Sequence, residues 1–376
     1  MSTSWFRLRR SVILSVATAV LLAACPAGAV VLHPGGEPPA DWTDRPSDDV
    51  IAWWKLPDTG VSGGRASAVA VGPNTLLTTR HQLGGIGTGI TIAGEEYIVA
   101  DEVNLTDSMG RQIDLRVVTI TDALGAPANL STYVPLYTGS RKTGINFVMG
   151  GTGLVRGTDT GSAYLWAQPQ QLLWGTNRID STGGPVNPKG SAFYTRVLVA
   201  DFDPLGAGST EYEAAMADHD SGGGWFVYND GRWEVIGINA YAYTNDRQAE
   251  YVDTQRLDAV DLPFYSGSIL PHLSDAAVPV GDATWDGIVN DDDMAVLEMY
   301  MNSTELVESS WWRQGDFNGD QQVSFADWVL LSQNFGTNWS AGMAQGSNST
   351  VAVVPEPASL SLLGLGAAAL LRRRRR

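Results

Sequence analysis

From about residue 50 to residue 272 the apolar positions fall in short runs with β character, separated by glycine-rich turns. Residues 67–71 lead through Gly72-Pro73-Asn74 into Leu76-Leu77-Thr78-Thr79, and residues 97–99 and 115–120 are further strand candidates. Residues 225–228 and 233–241 flank Asn229-Asp230-Gly231, a strand–turn–strand signal. Helical periodicity is scarce here, with one candidate segment at 211–217. The pattern predicts a mainly β domain of barrel or sandwich type. After residue 276 the period changes. Met294, Leu297 and Met301 share one helical face, as do Trp328, Leu331 and Phe335, and each set follows an acidic loop. A small α-helical module is therefore expected over 276–338. Residues 30–49, rich in Pro, Gly and Asp, and residues 339–353, rich in Ser, Gly, Ala and Asn, read as linkers. His33 and His272 lie in Pro-flanked sequence and are expected to be solvated.

Two more apolar runs lie at the ends. Three arginines precede residues 11–24, and Ala27-Gly28-Ala29 has the small-residue pattern of a cleavage site, so residues 1–29 read as an export signal. The 14 residues 358–371 are also apolar, short of the ~20 that a spanning helix needs. Charge narrows the function further. The 376-residue chain has a formal charge of −17, and without the end segments 1–29 and 354–376 it keeps 16 basic and 40 acidic residues, a net of −24. Nucleic acid and anionic membrane surfaces are poor partners for such a body; divalent cations are good ones. The one cysteine, Cys25, lies in the export signal. It is either discarded with that signal or, because Leu22-Ala23-Ala24-Cys25 resembles a bacterial lipobox, retained as a lipid-anchored N-terminus. In both cases the exported body has no disulfide and rests on its core and on bound ions.

The acidic stretch repeats. Asp282, Thr284, Asp286, Asn290 and Asp293 place oxygens at loop positions one, three, five, nine and twelve, with Gly287 at six and Val289 at eight. Asp316, Asn318, Asp320, Ser324 and Asp327 repeat the spacing, with Gln321 at the turn position. Calcium takes six to eight oxygens, and this spacing wraps such a set around one ion, so about two ions are expected. The pair of loops resembles a type I dockerin, which implies a small EF-hand-like helical domain and a cohesin-like docking partner. A calcium-stabilised spacer is the other reading.

Three further segments carry candidate chemistry: Leu77-Thr78-Thr79-Arg80-His81, Asp114-Leu115-Arg116-Val117 and His219-Asp220-Ser221-Gly222-Gly223. A serine hydroxyl is a poor nucleophile unless an imidazole takes its proton and a carboxylate orients that imidazole. In this order, across about residues 50–270, the segments resemble the three motifs of trypsin and chymotrypsin-like serine peptidases. The resemblance implies a double β-barrel that hydrolyses protein or peptide substrates. It makes Ser221 the nucleophile, His81 the general base and Asp114 its orienting group, with the N–H groups of His219 and Ser221 as the oxyanion hole. The strand at 235–241 would pair with an extended peptide.

Three departures accompany the likeness. His219 stands where the family has glycine. No Arg-Ile-Val-Gly-Gly precedes the domain to supply a new N-terminus for Asp220, so internal groups are expected to satisfy that acid. Ala215 and Ala242 occupy positions that shape the specificity pocket, which implies a neutral one. A catalytically inactive, peptide-binding relative is the alternative, with His219 as the disabling residue. An esterase is disfavoured, because no strand–Gly-x-Ser-x-Gly–helix elbow is present.

At the chain end, Pro355-Glu356-Pro357, the apolar stretch and Arg372 to Arg376 follow one another. This resembles a PEP-CTERM sorting signal over 354–376. It implies export to the bacterial cell envelope, transient membrane insertion of the tail and processing by exosortase-type machinery.

Overall fold

The computed structural model describes residues 30–337, apart from residues 56–64, 83, 108, 140, 188–191, 207, 230, 245–247, 252–254, 274–279, 285–287, 304–311 and 318–321. Residues 1–29, read as an export signal, residues 338–353 and residues 354–376, read as a sorting signal, lie outside the described residues.

Alternation on short strands builds the first half. After β1 (Val31–Leu32), strands β2 (Ile51–Lys55), β3 (Arg65–Ala70), β4 (Thr75–Thr78), β5 (Gly89–Ile92), β6 (Glu95–Thr106) and β7 (Gln112–Thr121) close an antiparallel barrel in the order β2-β3-β4-β7-β6-β5. On β3, Ala66, Ala68 and Ala70 fill the inside beside Trp54, Leu76, Ile90 and Val118. The intervening Val69 packs the other way, in the cluster shared with Val148, Phe226 and Ile238. Period-two patterning thus gives β3 two buried faces, whereas β5 buries alternate residues only.

The second half comprises β8 (Asn146–Gly151), β9 (Val155–Asp159), β10 (Ala163–Ala167), β11 (Leu173–Arg178), β12 (Ser181–Val186), β13 (Thr195–Ala200), β14 (Ala214–Ala215), β15 (Gly224–Asn229), β16 (Arg232–Tyr243), β17 (Gln248–Glu250) and β18 (Arg256–Asp261). Seven strands form one antiparallel sheet in the order β11-β8-β15-β16-β18-β13-β12. Among the described residues this sheet is not a closed ring, unlike the second of the two barrels expected. Its core holds Met149, Leu198, Phe202 and Ile236, with Phe147 stacked on Trp225 at 4.1 Å. The β15–β16 hairpin turns where the sequence predicts, with Gly231 at φ +85°.

Two expectations change. The helical candidate at 211–217 is instead the strand β14, paired antiparallel with β1 through Val31↔Ala215 and Leu32↔Ala214. Small side chains allow this approach: a β-carbon on Gly175 would come within 2.5 Å of the Ala214 methyl and 2.7 Å of Leu32. Local helix propensity yields to tertiary pairing here. His33, expected to be solvated, is buried. Its Nε2 bonds the Asp203 carbonyl at 2.8 Å, its Nδ1 lies 3.2 Å from the Tyr164 hydroxyl, and its ring stacks on Phe202 at 4.5 Å. The start of the segment read as a linker is therefore core.

Helix α1 (Leu262–Ile269) follows β18, capped by Asp261, which accepts from Phe264 N at 3.2 Å and pairs with Lys142. Helices α2 (Asp291–Tyr300) and α3 (Phe325–Asn334) form the acidic module. Each opens with a reciprocal capping box, Asn290 with Asp293 and Ser324 with Asp327. Leu297 and Leu331 are buried as expected, whereas Phe335 is 47% exposed.

Val30, Val31 and Leu32 are all nearly inaccessible, and each such side chain contributes about 1.5–3 kcal/mol when buried. A chain beginning at Pro34 should be less stable by about 3 kcal/mol or more than one beginning at Val30, seen as a lower urea midpoint. Equal midpoints would remove β1 from the folded core.

Candidate active site

The turn after β4 delivers His81 to the inner end of β7, where Asp114 is fully buried. Asp114 Oδ1 accepts the backbone N–H of Arg80 at 2.9 Å and of His81 at 2.8 Å. Its Oδ2 lies 2.6 Å from His81 Nδ1. On the far side of the ring, His81 Nε2 is 2.9 Å from Ser221 Oγ. With the carboxylate accepting at Nδ1, the proton sits there, and Nε2 is the acceptor for the serine hydroxyl. Burial alone would raise the Asp114 carboxyl. Hydrogen bonds and charge from His81 outweigh it and hold the group below the usual carboxylate range. The structure therefore brings His81, Asp114 and Ser221 into one hydrogen-bonded line.

The Ser221 turn is fixed from both halves. The Ser221 carbonyl accepts from Ser67 N at 3.0 Å on β3, and from the Gln82 side-chain amide. Gly222 has φ +85°, and a β-carbon there would collide with the Ser67 carbonyl and the Thr78 hydroxyl. Gly223 sits against the Gly150 carbonyl. The glycines after the serine are thus required by close approach of the barrel. Ser67 Oγ also donates to the His219 carbonyl at 3.4 Å and meets Thr152 Oγ1 at 2.9 Å.

His219 has φ +75°, the left-handed conformation for which the likeness would place glycine. The turn forms without that glycine, at the strain cost of a β-carbon. The Ser221 N–H has no protein acceptor among the described residues.

Asp220 is buried and needs no chain terminus as partner. Its Oδ1 accepts Gly153 N at 2.8 Å and its Oδ2 accepts Ala217 N at 2.8 Å. Desolvation pushes its carboxyl up to about 7 against the pull of those two amides. This is the internal satisfaction expected from the missing activation sequence.

Several supporting residues were not singled out in the sequence. Thr195 Oγ1 accepts Asp114 N at 2.9 Å, bringing the second half to the carboxylate. Arg116 is buried over Trp54 at 4.5 Å, pairs with Glu102 at 2.9 Å and donates to the Gly84 carbonyl at 2.9 Å, bracing the turn beyond His81. Tyr241 stacks on His81. An arginine inside an apolar strand and a lone serine between alanines were the available signals; Thr195 and Tyr241 carried none. Ala215 is buried beside Val31, and Ala242 is half-buried.

In the acidic module, Asp282, Asp293, Asp316 and Asp327 are buried. Asp293 accepts Thr284 N and Asn290 N, both at 2.8 Å, and Asp327 accepts Phe317 N and Ser324 N, both at 2.8 Å. Asn290 and Ser324, expected as loop ligands, use their side-chain oxygens as helix caps. Thr284 Oγ1 lies 3.0 Å from Asp293 Oδ1 and 3.4 Å from Asp282 Oδ1. The expected ligands Asp286, Asn318 and Asp320 lie outside the described residues. Among the described residues no three acidic or histidine side chains gather closely enough to hold a metal.

Residues 353–376 match the PEP-CTERM protein-sorting motif. This indicates export, association with the bacterial cell envelope and recognition by exosortase-type sorting machinery. Among solved structures, the inactive form of the Rv3671c protease is similar with a TM-score of 0.36 and 13% identity, over 59% of this chain and 88% of that one. No curated protein matches the chain.

Two outcomes follow from this geometry. Glu213, bonded by Thr210 and Asp203 amides, is raised to about 7 by desolvation, like Asp220. In the unfolded chain both titrate near ~4. Between those values the folded state holds more protons, so unfolding free energy should fall as pH rises from about 4 to about 7, then level off. Urea unfolding across that window checks the sign, and Glu213→Gln should flatten the slope. Separately, His219→Gly should gain up to about 1 kcal/mol by relieving the left-handed strain. An unchanged or lower urea midpoint would mean that the imidazole offsets the strain.

Proposed function

We propose that the chain is an exported serine endopeptidase that uses a His81–Asp114–Ser221 triad. We read the closed barrel and the seven-stranded sheet as the halves of a trypsin-like double barrel, meeting at the site. One observation carries the reading: His81 is hydrogen-bonded to a buried, ionised Asp114 through one nitrogen and to Ser221 through the other. Ser221 Oγ attacks the scissile carbonyl while His81 Nε2 takes its proton and later delivers it to the leaving amine. Asp114 holds the tautomer and stabilises the imidazolium. The Ser221 N–H, with that of His219, receives the developing oxyanion; such donors are worth about 3–4 kcal/mol each. The β16 edge pairs with the extended substrate. The φ of His219 favours this over the inactive alternative, because the turn already has the backbone form expected of glycine.

We further propose that the two acidic loops bind calcium, as a dockerin-like docking module or as a spacer before the sorting tail. An all-oxygen donor set and four buried carboxylates on repeated loops support a hard cation. Asp282, Thr284, Asp286 and Asp293 would hold one ion; Asp316, Asn318, Asp320 and Asp327 the other; Asn290 and Ser324 would contribute at position nine.

Purified residues 30–353 in calcium should be labelled at Ser221 by a fluorophosphonate, and Ser221→Ala and His81→Ala should lose both labelling and peptide hydrolysis. Turnover equal to wild type in Ser221→Ala would sink the mechanism. Calorimetric titration should give about two calcium ions, with Asp282→Ala losing one and keeping its labelling rate; no heat of binding would remove the calcium reading.

A further inference from the structure

Tyr241 occupies the face of β16 that meets the triad. Its ring lies 5.7 Å from the His81 ring at an interplanar angle of 29°. Its hydroxyl is buried and makes no hydrogen bond of good geometry. Burying a phenol O–H without an acceptor costs about 1–3 kcal/mol, so an isolated one inside a site calls for a use. The groups that act on this hydroxyl are the Asp114 carboxylate and the Thr195 hydroxyl. A carboxylate offers about four lone-pair sites. On Asp114, Oδ1 takes two backbone donors, whereas Oδ2 takes the His81 ring alone. An anionic acceptor with room for one more donor thus lies beside a buried donor that lacks one. Desolvation first, and then the Asp114 charge, hold the phenol protonated far above its ordinary range, so it keeps a proton to donate.

We propose that Tyr241 is a positioning residue of the triad: its hydroxyl is a reserve donor to Asp114 Oδ2, and its ring fixes the plane of the His81 imidazole. The inference rests on the triad reading for its function, but its physical content stands on the folded protein alone. Other charged and titratable groups near Tyr241 are few. Tyr243 follows on the same strand, and Asp258, its register partner on β18, is already bonded to Arg256 at 2.7 Å and 3.0 Å. Neither competes for the Asp114 oxygen.

Tyr241→Phe keeps the ring and removes the donor. Asp114 then loses the phenol O–H beside it, whose dipole helps to hold the carboxyl low, and this favours the imidazolium form of His81. The test is a titration of the His81 ring-carbon resonance in calcium-loaded residues 30–353, wild type beside Tyr241→Phe. The midpoint should move to higher pH by about half a unit, a threefold change in proton affinity. The acid limb of peptide turnover should move with it. Tyr228→Phe, which removes an exposed hydroxyl bonded to the Gly231 carbonyl, should leave both unchanged. An unmoved midpoint in Tyr241→Phe, or an equal shift in Tyr228→Phe, would overturn the proposal. If the midpoint moves but wild type neither labels nor turns over peptide, the endopeptidase reading fails and the Tyr241 contact stands.

Discussion

A carboxylate sealed from water must be surrounded by donors, and in this fold Asp114 makes that demand. It collects the backbone of Arg80 and His81 and the His81 ring, while its own N–H reaches Thr195 in the other half. The turn after β4 and the imidazole plane are therefore set by one buried charge, and the start of β13 by the backbone of the same residue. Any loosening that admits water would weaken all of these together, because their strength depends on the low local dielectric.

Ser221 obeys a second constraint of the same kind. Ser221 belongs to the second half, yet its carbonyl is held by Ser67 and Gln82 of the first. Its flank is secured by Asp220, whose buried oxygens meet backbone amides rather than a cation. That choice keeps the acid costly to ionise and leaves the turn's geometry independent of any charged terminus. The serine is thus placed by hydrogen bonds that run through backbone groups, and the imidazole by a buried carboxylate.

The sequence exposed His81, Asp114 and Ser221 because their neighbours are constrained too: threonines that bury, a strand that alternates, glycines that must let a barrel strand approach. It could not expose Ser67, Thr195 or Tyr241, whose roles come from register and from meetings between halves. Segment 211–217 has good helix formers, yet buried alanines opposite Val31 and Leu32 make it a strand. The burial of His33 is invisible for a related reason, since Pro-flanked composition describes local chain and not what packs over it. The acidic loops show the intermediate case. Their repeat announces the capping boxes and the buried Leu297 and Leu331, while the partners that surround each carboxylate depend on loop closure.

The pairing of β1 with β14 joins the start of the β-rich body to the threshold of the Ser221 turn. A contact between such distant parts of the chain carries a large loop-closure cost and is slow to form. If export threads this chain from its N-terminus, the first residues to arrive wait longest for their partner. Val30, Val31 and Leu32 would then be bare apolar surface until β14 follows them, a period in which a holdase or rapid collapse has to guard them.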